Sequence, residues 1–325
     1  MINKYQPQDM EGVIRLWNRA AVKLGYKEMN PASFSAIITG NPYFSTEYAF
    51  VLREKEEVAG FACGCVGDDL PLGKTGGYIT CVLLEEQYEN TENYGSLLDL
   101  LEKAFVKAGR IHSEILFFNP MMLPWYIKGT KQHEHNNAPG IFKSSRLYQE
   151  LLQKGYAERA TEWAMYINLE EFTIPEKILQ KEIKAADEGY EAVLFHKDRH
   201  HELVSMLQKL DNPLWEKEIF EASEEGKPFL VAARSGKAVG FAGPIRRQES
   251  GRGYFTGIGV NKEHEGHGLG TILFYKLCEE EKKAGADYMS LYTGATNPAA
   301  KIYLQAGFKI VEEFAVMRKE LQPES

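Results

Sequence analysis

The chain repeats itself. Tyr48-Ala49-Phe50-Val51-Leu52-Arg53, a charged turn and Val58-Ala59-Gly60-Phe61-Ala62-Cys63 return as Pro228-Phe229-Leu230-Val231-Ala232-Ala233-Arg234, a turn and Ala238-Val239-Gly240-Phe241-Ala242-Gly243. Gly77-Tyr78-Ile79-Thr80 then matches Gly253-Tyr254-Phe255-Thr256. Each half closes alike, with Gly155-Tyr156 before an apolar run from Trp163 to Leu169, and Gly307-Phe308 before one from Phe314 to Leu321. A period of about 150 residues is too long for a solenoid unit and suits a duplicated domain. The predicted division is 1–170 for the first domain, 171–189 for a linker with a charged helical run after Pro175, and 190–325 for the second domain. The second domain is expected to open with a strand from Tyr190 to Phe195.

The second half carries the chemistry. After the apolar run Gly253-Tyr254-Phe255-Thr256-Gly257-Ile258-Gly259-Val260 comes a polar turn from Asn261 to Glu265, and then Gly266-His267-Gly268-Leu269-Gly270-Thr271. A helix follows, with Leu269, Ile272, Leu273 and Leu277 at helical spacing, Lys282 and Lys283 in its last turn, and Gly285 as its stop. Strand, glycine loop and helix start together make an anion cradle. Glycines let the backbone approach closely, and unpaired N–H groups at the helix start point at the charge. The spacing excludes two familiar cradles. A P-loop needs a lysine where Gly270-Thr271 has none, and alternating glycines do not fit Gly-x-Gly-x-x-Gly.

Farther on, Tyr288 to Thr293 reads as a strand, and Asn297-Pro298-Ala299-Ala300-Lys301-Ile302-Tyr303-Leu304-Gln305-Ala306-Gly307-Phe308 as a loop, a short helix and a glycine stop. These two stretches resemble the paired signatures of the GNAT superfamily of N-acetyltransferases. The first is Arg/Gln-x-x-Gly-x-Gly/Ala, with Glu265 standing in place of Arg or Gln, and the second is Asn-x-x-Ala-x-x-x-Tyr-x-x-x-Gly-Phe. The resemblance implies an α/β fold of α+β type, with two tandem GNAT-like domains, each a mixed, mostly antiparallel sheet flanked by helices. It implies acetyl-CoA as co-substrate, with no metal, and acetyl transfer to a primary amine by direct attack in a ternary complex. The residues it points to for the cofactor are Ile258, Val260, Glu265, Gly266, His267, Gly268, Leu269, Gly270, Thr271, Asn297, Ala300 and Tyr303. Tyr303 is the candidate acid for the departing thiolate, or else a core aromatic. Backbone N–H groups from His267 to Thr271 would bind pyrophosphate, and the Val260 N–H would polarise the thioester carbonyl. The base is unassigned. Glu265, His264 and His267 sit by the phosphate loop, an ordered water is possible, and Tyr254 and Thr256 lie on the strand, one face of which must look into the cleft.

In the first half the cradle is expected to be lost. Glu92-Asn93-Tyr94-Gly95-Ser96-Leu97 keeps one glycine, Leu151 stands where Tyr303 does, and Tyr148 lies one helical turn away. The first domain is therefore read as degenerate. The rival reading of the whole chain is a noncatalytic acyl-CoA-binding or protein-interaction module.

A net charge of −8 argues against nucleic acid or an anionic membrane surface as partner and tolerates a cationic small-molecule or peptide acceptor; an oligomer is possible. Cys63, Cys65, Cys81 and Cys278 lack zinc spacing and read as buried free thiols, which with the absence of a secretory start points to the cytoplasm. His133 and His135 lack a third metal ligand, and His196 and His200 read as a solvated helix face. The irregular stretch from Pro120 to Ser145 is read as a cover over a substrate cleft or a solvated insertion. Trp215 and the segment to Phe220 are the candidates for acceptor contact.

Overall fold

The computed structural model describes residues 1–322. Its first half runs β1 (Ile2–Lys4), α1 (Met10–Leu24), α2 (Pro31–Phe34), β2 (Ala49–Glu54), β3 (Glu57–Cys65), β4 (Gly76–Leu84), α3 (Thr91–Lys107), β5 (His112–Ile115), β6 (Trp125–Tyr126), β7 (Glu134–His135), β8 (Ile141–Phe142), α4 (Arg146–Gln153) and β9 (Ala157–Asn168). The second half runs α5 (Glu176–Asp187), β10 (Tyr190–Leu194), α6 (Leu203–Lys209), α7 (Pro213–Glu224), β11 (Leu230–Arg234), β12 (Lys237–Gly243), β13 (Arg246–Arg247), β14 (Arg252–Tyr254), β15 (Gly257–Val260), α8 (Leu269–Lys283), β16 (Tyr288–Gly294), α9 (Ala300–Gln305) and β17 (Lys309–Glu320). The repeat is visible in this order, with paired strands β2–β3 and β11–β12 leading into β4 and β14–β15, and a long helix after each.

Two compact units form, and the chain passes between them more than once. Unit 1 is Met1–Ala164, Tyr292–Ala295 and the segment from Ile310 onward; unit 2 is Met165–Leu291 and Thr296–Lys309. This corrects the expected division. The closing strand β17, assigned by sequence to the second domain, pairs antiparallel with β5 from Met317↔Ile115 to Glu320↔His112, and with β8 at Phe314↔Phe142. Conversely, the end of β9 from Met165 lies in unit 2. The supposed linker is also part of unit 2, where α5 buries Ile178 and Ala185. Alternating apolar residues say that a strand buries one face, but not which sheet it completes.

In unit 1, β1, β2, β3 and β4 pair in sequence, antiparallel, and β4 runs parallel to β5. One core gathers Ile79, Val82, Leu97, Leu101, Phe105, Leu151 and Met317. Val13, Leu16 and Trp17, at helical spacing, form the buried face of α1. The stretch from Pro120 to Ser145 is not a solvated insertion. Met121, Leu123, Trp125 and Ile127 are buried, and β6 pairs with β7.

In unit 2, β10, β11, β12 and β15 form an antiparallel sheet in that order, with β15 at its edge. Leu203, Met206, Leu207, Ile219, Val231 and Phe241 pack one core cluster beneath it. The helix expected around His200 starts only at Leu203, after Glu202 in a left-handed conformation. His200 is buried rather than solvated. Its Nδ1 accepts the His196 N–H at 2.9 Å, and desolvation lowers its pKa.

Candidate active site

The site starts from a break in one strand. The run from Arg252 to Val260 is extended at both ends and interrupted at Phe255 and Thr256. Before the break, β14 pairs parallel with β16 at Arg252↔Tyr288 and Gly253↔Met289. After it, β15 pairs only with β12, from Gly257↔Gly243 to Val260↔Gly240. The two halves of one strand thus serve different neighbours, and the side of β15 away from β12 is left open. The Asn261 N–H donates to Val239 O at 2.8 Å, which sets the alternation: Gly257, Gly259 and Asn261 exchange hydrogen bonds with β12, and Ile258 and Val260 turn their N–H and C=O groups to the open side. Glycine is needed in β15 for packing. A Cβ on Gly257 would lie 2.3 Å from Trp215 Nε1, and one on Gly259 would lie 2.8 Å from Leu210 Cδ1.

Beyond β15 the loop turns through two left-handed glycines, Gly266 at φ +85° and Gly268 at φ +74°. A side chain at either would be strained, yet would meet open space: nothing lies within 4 Å of a Cβ on Gly266, and only Lys181 Cδ, at 3.9 Å, on Gly268. Helix α8 begins at Leu269 without a side-chain cap. The first helical hydrogen bond runs from Ile272 N–H to Gly268 O, and the N–H groups from His267 to Thr271 make none among the described residues. This is an uncapped helix start behind an open glycine loop, the donor set an anion requires. Gly270 lies where the parts meet, since a Cβ there would be 3.9 Å from Ile302 Cδ1 and 4.0 Å from Val260 Cγ2. The Asn261 side-chain oxygen, buried at the end of β15, has no hydrogen-bond partner among the described residues. Glu265 is exposed. The His267 ring is taken by Glu188, and His264 Nδ1 lies 3.0 Å from the Tyr190 hydroxyl, so both imidazoles are engaged. Lys181 is a cation that spacing did not reveal. It reaches the loop from α5, in a stretch read as linker.

Helix α9 packs on α8 through Tyr303, whose ring lies 4.7 Å from that of Phe274. Tyr303 is 7% exposed, and burial pushes its phenol up to about 12. Its hydroxyl makes no hydrogen bond among the described residues. A phenol held this high stays protonated at neutral pH and so keeps a proton to donate. Asn297 is exposed, and its side-chain oxygen accepts the Ala299 N–H at 3.0 Å, which shapes the turn into α9; Ala300 is buried in the first turn.

Residues 194–308 match the acetyltransferase (GNAT) family model. This stretch is a GNAT domain. No curated protein sequence matches the chain. Among solved structures it is similar to a GCN5-related N-acetyltransferase from Sphaerobacter thermophilus, at 15% identity and a TM-score of 0.61, covering 100% of this chain and 96% of that one. It is also similar to a tandem GNAT protein from the clavulanic acid biosynthesis pathway, at 13% identity and a TM-score of 0.55 over 100% of both chains. A third likeness, at 15% identity and a TM-score of 0.64, is to a fungal multi-domain GH3 beta-N-acetylglucosaminidase with a GCN5-related glucosamine N-acetyltransferase region; it covers 98% of this chain and 38% of that one. At these identities the likeness is one of fold, and the fold is the tandem GNAT form the duplication implied.

On the far side of the GNAT domain's broken strand, Tyr254 donates its hydroxyl to both carboxylate oxygens of Glu218, at 2.9 and 3.0 Å. Burial, then Glu218, raises the Tyr254 phenol. Arg246 lies over the Tyr254 ring at 4.4 Å. The Trp215 indole N–H donates to Thr256 O at 3.0 Å and so fixes the break itself. Glu218, Glu221 and Arg246 line a cavity of about 370 Å³ with Leu214 and Pro244. Glu218 lies within the segment from Trp215 to Phe220 expected to touch the acceptor, and the packing of α7 is what brings it to Tyr254. Among the described residues no three His, Cys, Asp or Glu side chains cluster to hold a metal ion.

In unit 1 the corresponding helix start is built differently. Helix α3 begins at Thr91, and the side-chain oxygen of Asn90 accepts the Asn93 N–H at 2.8 Å. The Tyr94 N–H bonds to Asn90 O at 3.1 Å, as Ile272 does to Gly268 O in α8, so the difference between the two helix starts is the Asn90 cap on the Asn93 N–H. The Tyr94 side chain is buried, and Leu151 is a core residue. Tyr148 is engaged elsewhere, donating to Glu158 at 2.6 Å.

Proposed function

We propose that the chain is an acyl-CoA-dependent N-acetyltransferase whose GNAT domain transfers an acetyl group from acetyl-CoA to a primary amine in a ternary complex. The observation that carries this reading is the pair formed by an open strand edge at Ile258–Val260 and an uncapped helix start behind Gly266 and Gly268. The N–H groups from His267 to Thr271, with Lys181 nearby, suit the diphosphate, and the open edge of β15 suits the amide-bearing arm. Acetyl-CoA supplies the thioester. The Val260 N–H would face its carbonyl, Asn297 and Ala300 would flank the arm, and Tyr303 would protonate the departing thiolate. Holding thioester and amine side by side supplies much of the rate. The acceptor, a small amine or a peptide amine, would enter by the cavity that Glu218, Glu221 and Glu225 line with Lys217, Lys227 and Arg246, with Glu218 the carboxylate that meets the strand break through Tyr254.

No helix among the described residues is long and apolar enough to cross a membrane, and all four cysteines are buried and unpaired, which agrees with action in the cytoplasm. The test is calorimetric titration with acetyl-CoA on wild type and Gly268→Glu, with turnover read on a panel of amines. One site, lost in the variant, together with turnover on an amine, is the expected result. Binding without turnover on any amine favours a noncatalytic acyl-CoA-binding module, and no binding sinks the proposal.

A further inference from the structure

We propose that unit 1 holds a cation site, centred on Glu162 and open over Gly294, that takes a small aralkylammonium ion, with its ammonium on the carboxylate and its ring against Tyr292 and Phe118. The parts of β9 and β16 that build it, up to Ala164 and from Tyr292 on, both belong to unit 1.

Strands β9 and β16 are neighbours in one sheet. The Leu169 N–H donates to Asp287 O at 3.0 Å, and the Ala295 N–H to Thr161 O at 2.9 Å. These two bonds set an antiparallel register in which Glu162 stands opposite Gly294 and Ala164 opposite Tyr292. Glu162 and Tyr292 are therefore diagonal neighbours on one face of the sheet, within reach of each other's side chains. Gly294 leaves the space between them empty. Apart from its chain neighbours, a Cβ there would meet only Glu162 Oε1, at 3.8 Å. Its backbone is not left-handed, so the turn of the chain does not require glycine at this position.

The carboxylate lacks a counter-charge. Glu162 is half-buried, burial alone raises its pKa, and it makes no hydrogen bond or ion pair among the described residues. A charge drawn out of water is ordinarily paired. The lysines that reach this part of the sheet are taken. Lys143 Nζ lies 3.1 Å from both Glu158 and Thr161, and Lys128 lies 3.1 Å from Glu312. Glu162 belongs to no cluster of acidic or imidazole groups that could hold a metal ion.

The aromatic wall is a separate observation. The Tyr292 hydroxyl accepts the Trp125 indole N–H at 2.7 Å and donates to Asn137 O, so its ring is fixed in place. The rings of Phe118 and Phe117 lie 6.0 and 6.5 Å from it, and Phe118 is 45% exposed. Two residues along a strand span about 7 Å, the reach of an ammonium two carbons from a ring. An inorganic cation would leave the rings unused, and a neutral aryl group would leave the charge unpaired. A ligand carrying both groups satisfies both, through a charge-assisted hydrogen bond and ring contacts.

The full chain, without acetyl-CoA, is titrated calorimetrically with 2-phenylethylammonium, 2-phenylethanol, ethylammonium and sodium, on wild type, Glu162→Gln, Gly294→Val and Glu218→Gln. 2-Phenylethylammonium should bind wild type more tightly than the other three. Glu162→Gln should weaken it about ten- to a hundredfold, the worth of a hydrogen bond to a charged group, and leave 2-phenylethanol within about twofold. Gly294→Val should abolish binding by filling the space. Glu162→Gln removes a desolvated charge and should melt no lower than wild type, so lost binding is not lost folding. No binding to wild type, or binding unchanged in Glu162→Gln, refutes the site. Binding lost in Glu218→Gln and kept in Glu162→Gln puts the amine in the α7 cavity and refutes it as well. Ethylammonium or sodium binding as tightly as the aryl amine refutes the ring contact. The site does not rest on the acetyltransferase reading, and a protein that binds 2-phenylethylammonium through Glu162 but binds no acetyl-CoA would sink that reading alone.

Discussion

Glu281 gives the sharpest test of how the GNAT domain is built. It lies on α8, twelve positions after the helix start that would bind the cofactor, and is fully buried. One carboxyl oxygen accepts the Arg246 N–H at 3.1 Å, and the other has no hydrogen-bond partner among the described residues. Burial pushes its pKa from 4.5 up to about 8, against the opposing pull of that N–H, Arg252 and Arg246. The folded protein therefore holds this group neutral over a range where the unfolded chain ionises it. With the folded pKa raised, the stabilisation is complete below pH 4.5 and is lost as pH rises toward about 8. The slope is about 1.4 kcal/mol per pH unit, and over the whole window the loss is on the order of 4–5 kcal/mol. Glu281→Gln keeps the shape and removes the titration. The free energy of opening α8, read by native-state hydrogen exchange, should fall with pH in wild type more steeply than in the variant. The two should be similar near pH 4.5, with the variant more stable near pH 8 by several kcal/mol, on the order of the loss just given. Curves that stay parallel across the window would refute the reasoning, since they would mean that Glu281 ionises in the folded state as freely as in the unfolded one.

Three further outcomes follow from the site. Tyr303→Phe should lower turnover about 100-fold while leaving acetyl-CoA affinity within about twofold, because the hydroxyl has no partner to lose; steady-state kinetics with a binding titration decide it, and unchanged turnover removes Tyr303 from the mechanism. Gly257→Ala should destabilise well beyond Gly266→Ala in thermal denaturation. The first forces a methyl to 2.3 Å from Trp215, whereas the second meets nothing and costs about 1–2 kcal/mol for its left-handed backbone. Lys181→Ala should weaken acetyl-CoA binding up to about fivefold, with a reduced dependence on salt, since the ammonium is exposed and makes no ion pair among the described residues. An unchanged salt dependence would place Lys181 outside the anion site.

The sequence by itself determined the local pieces, because those depend on near neighbours. The glycine loop, the start of α8 at Leu269, the stop after Lys283 and the turn into α9 all sit where spacing put them. So do the strand β10 and the paired strands β2–β3 and β11–β12, whose alternation or apolar runs and turn residues are short-range signals. That α3 starts differently from α8 was also legible, since Glu92 and Tyr94 stand where the second half has its glycine loop. Three things were not. The place of the closing strand β17 in unit 1 was hidden because β9 and β17 are both long strands with apolar runs, and only pairing with β5 and β8 assigns the second of them. His200, read as solvated from its charged neighbours, was buried by packing against Phe195. The break at Phe255 and Thr256 was decided by Trp215, a residue distant in sequence whose indole reaches Thr256 O and fills the space over Gly257. Sequence fixes which residues can form a strand and a loop; which edge of that strand stays open depends on what packs against it, and that is a property of the tertiary structure alone.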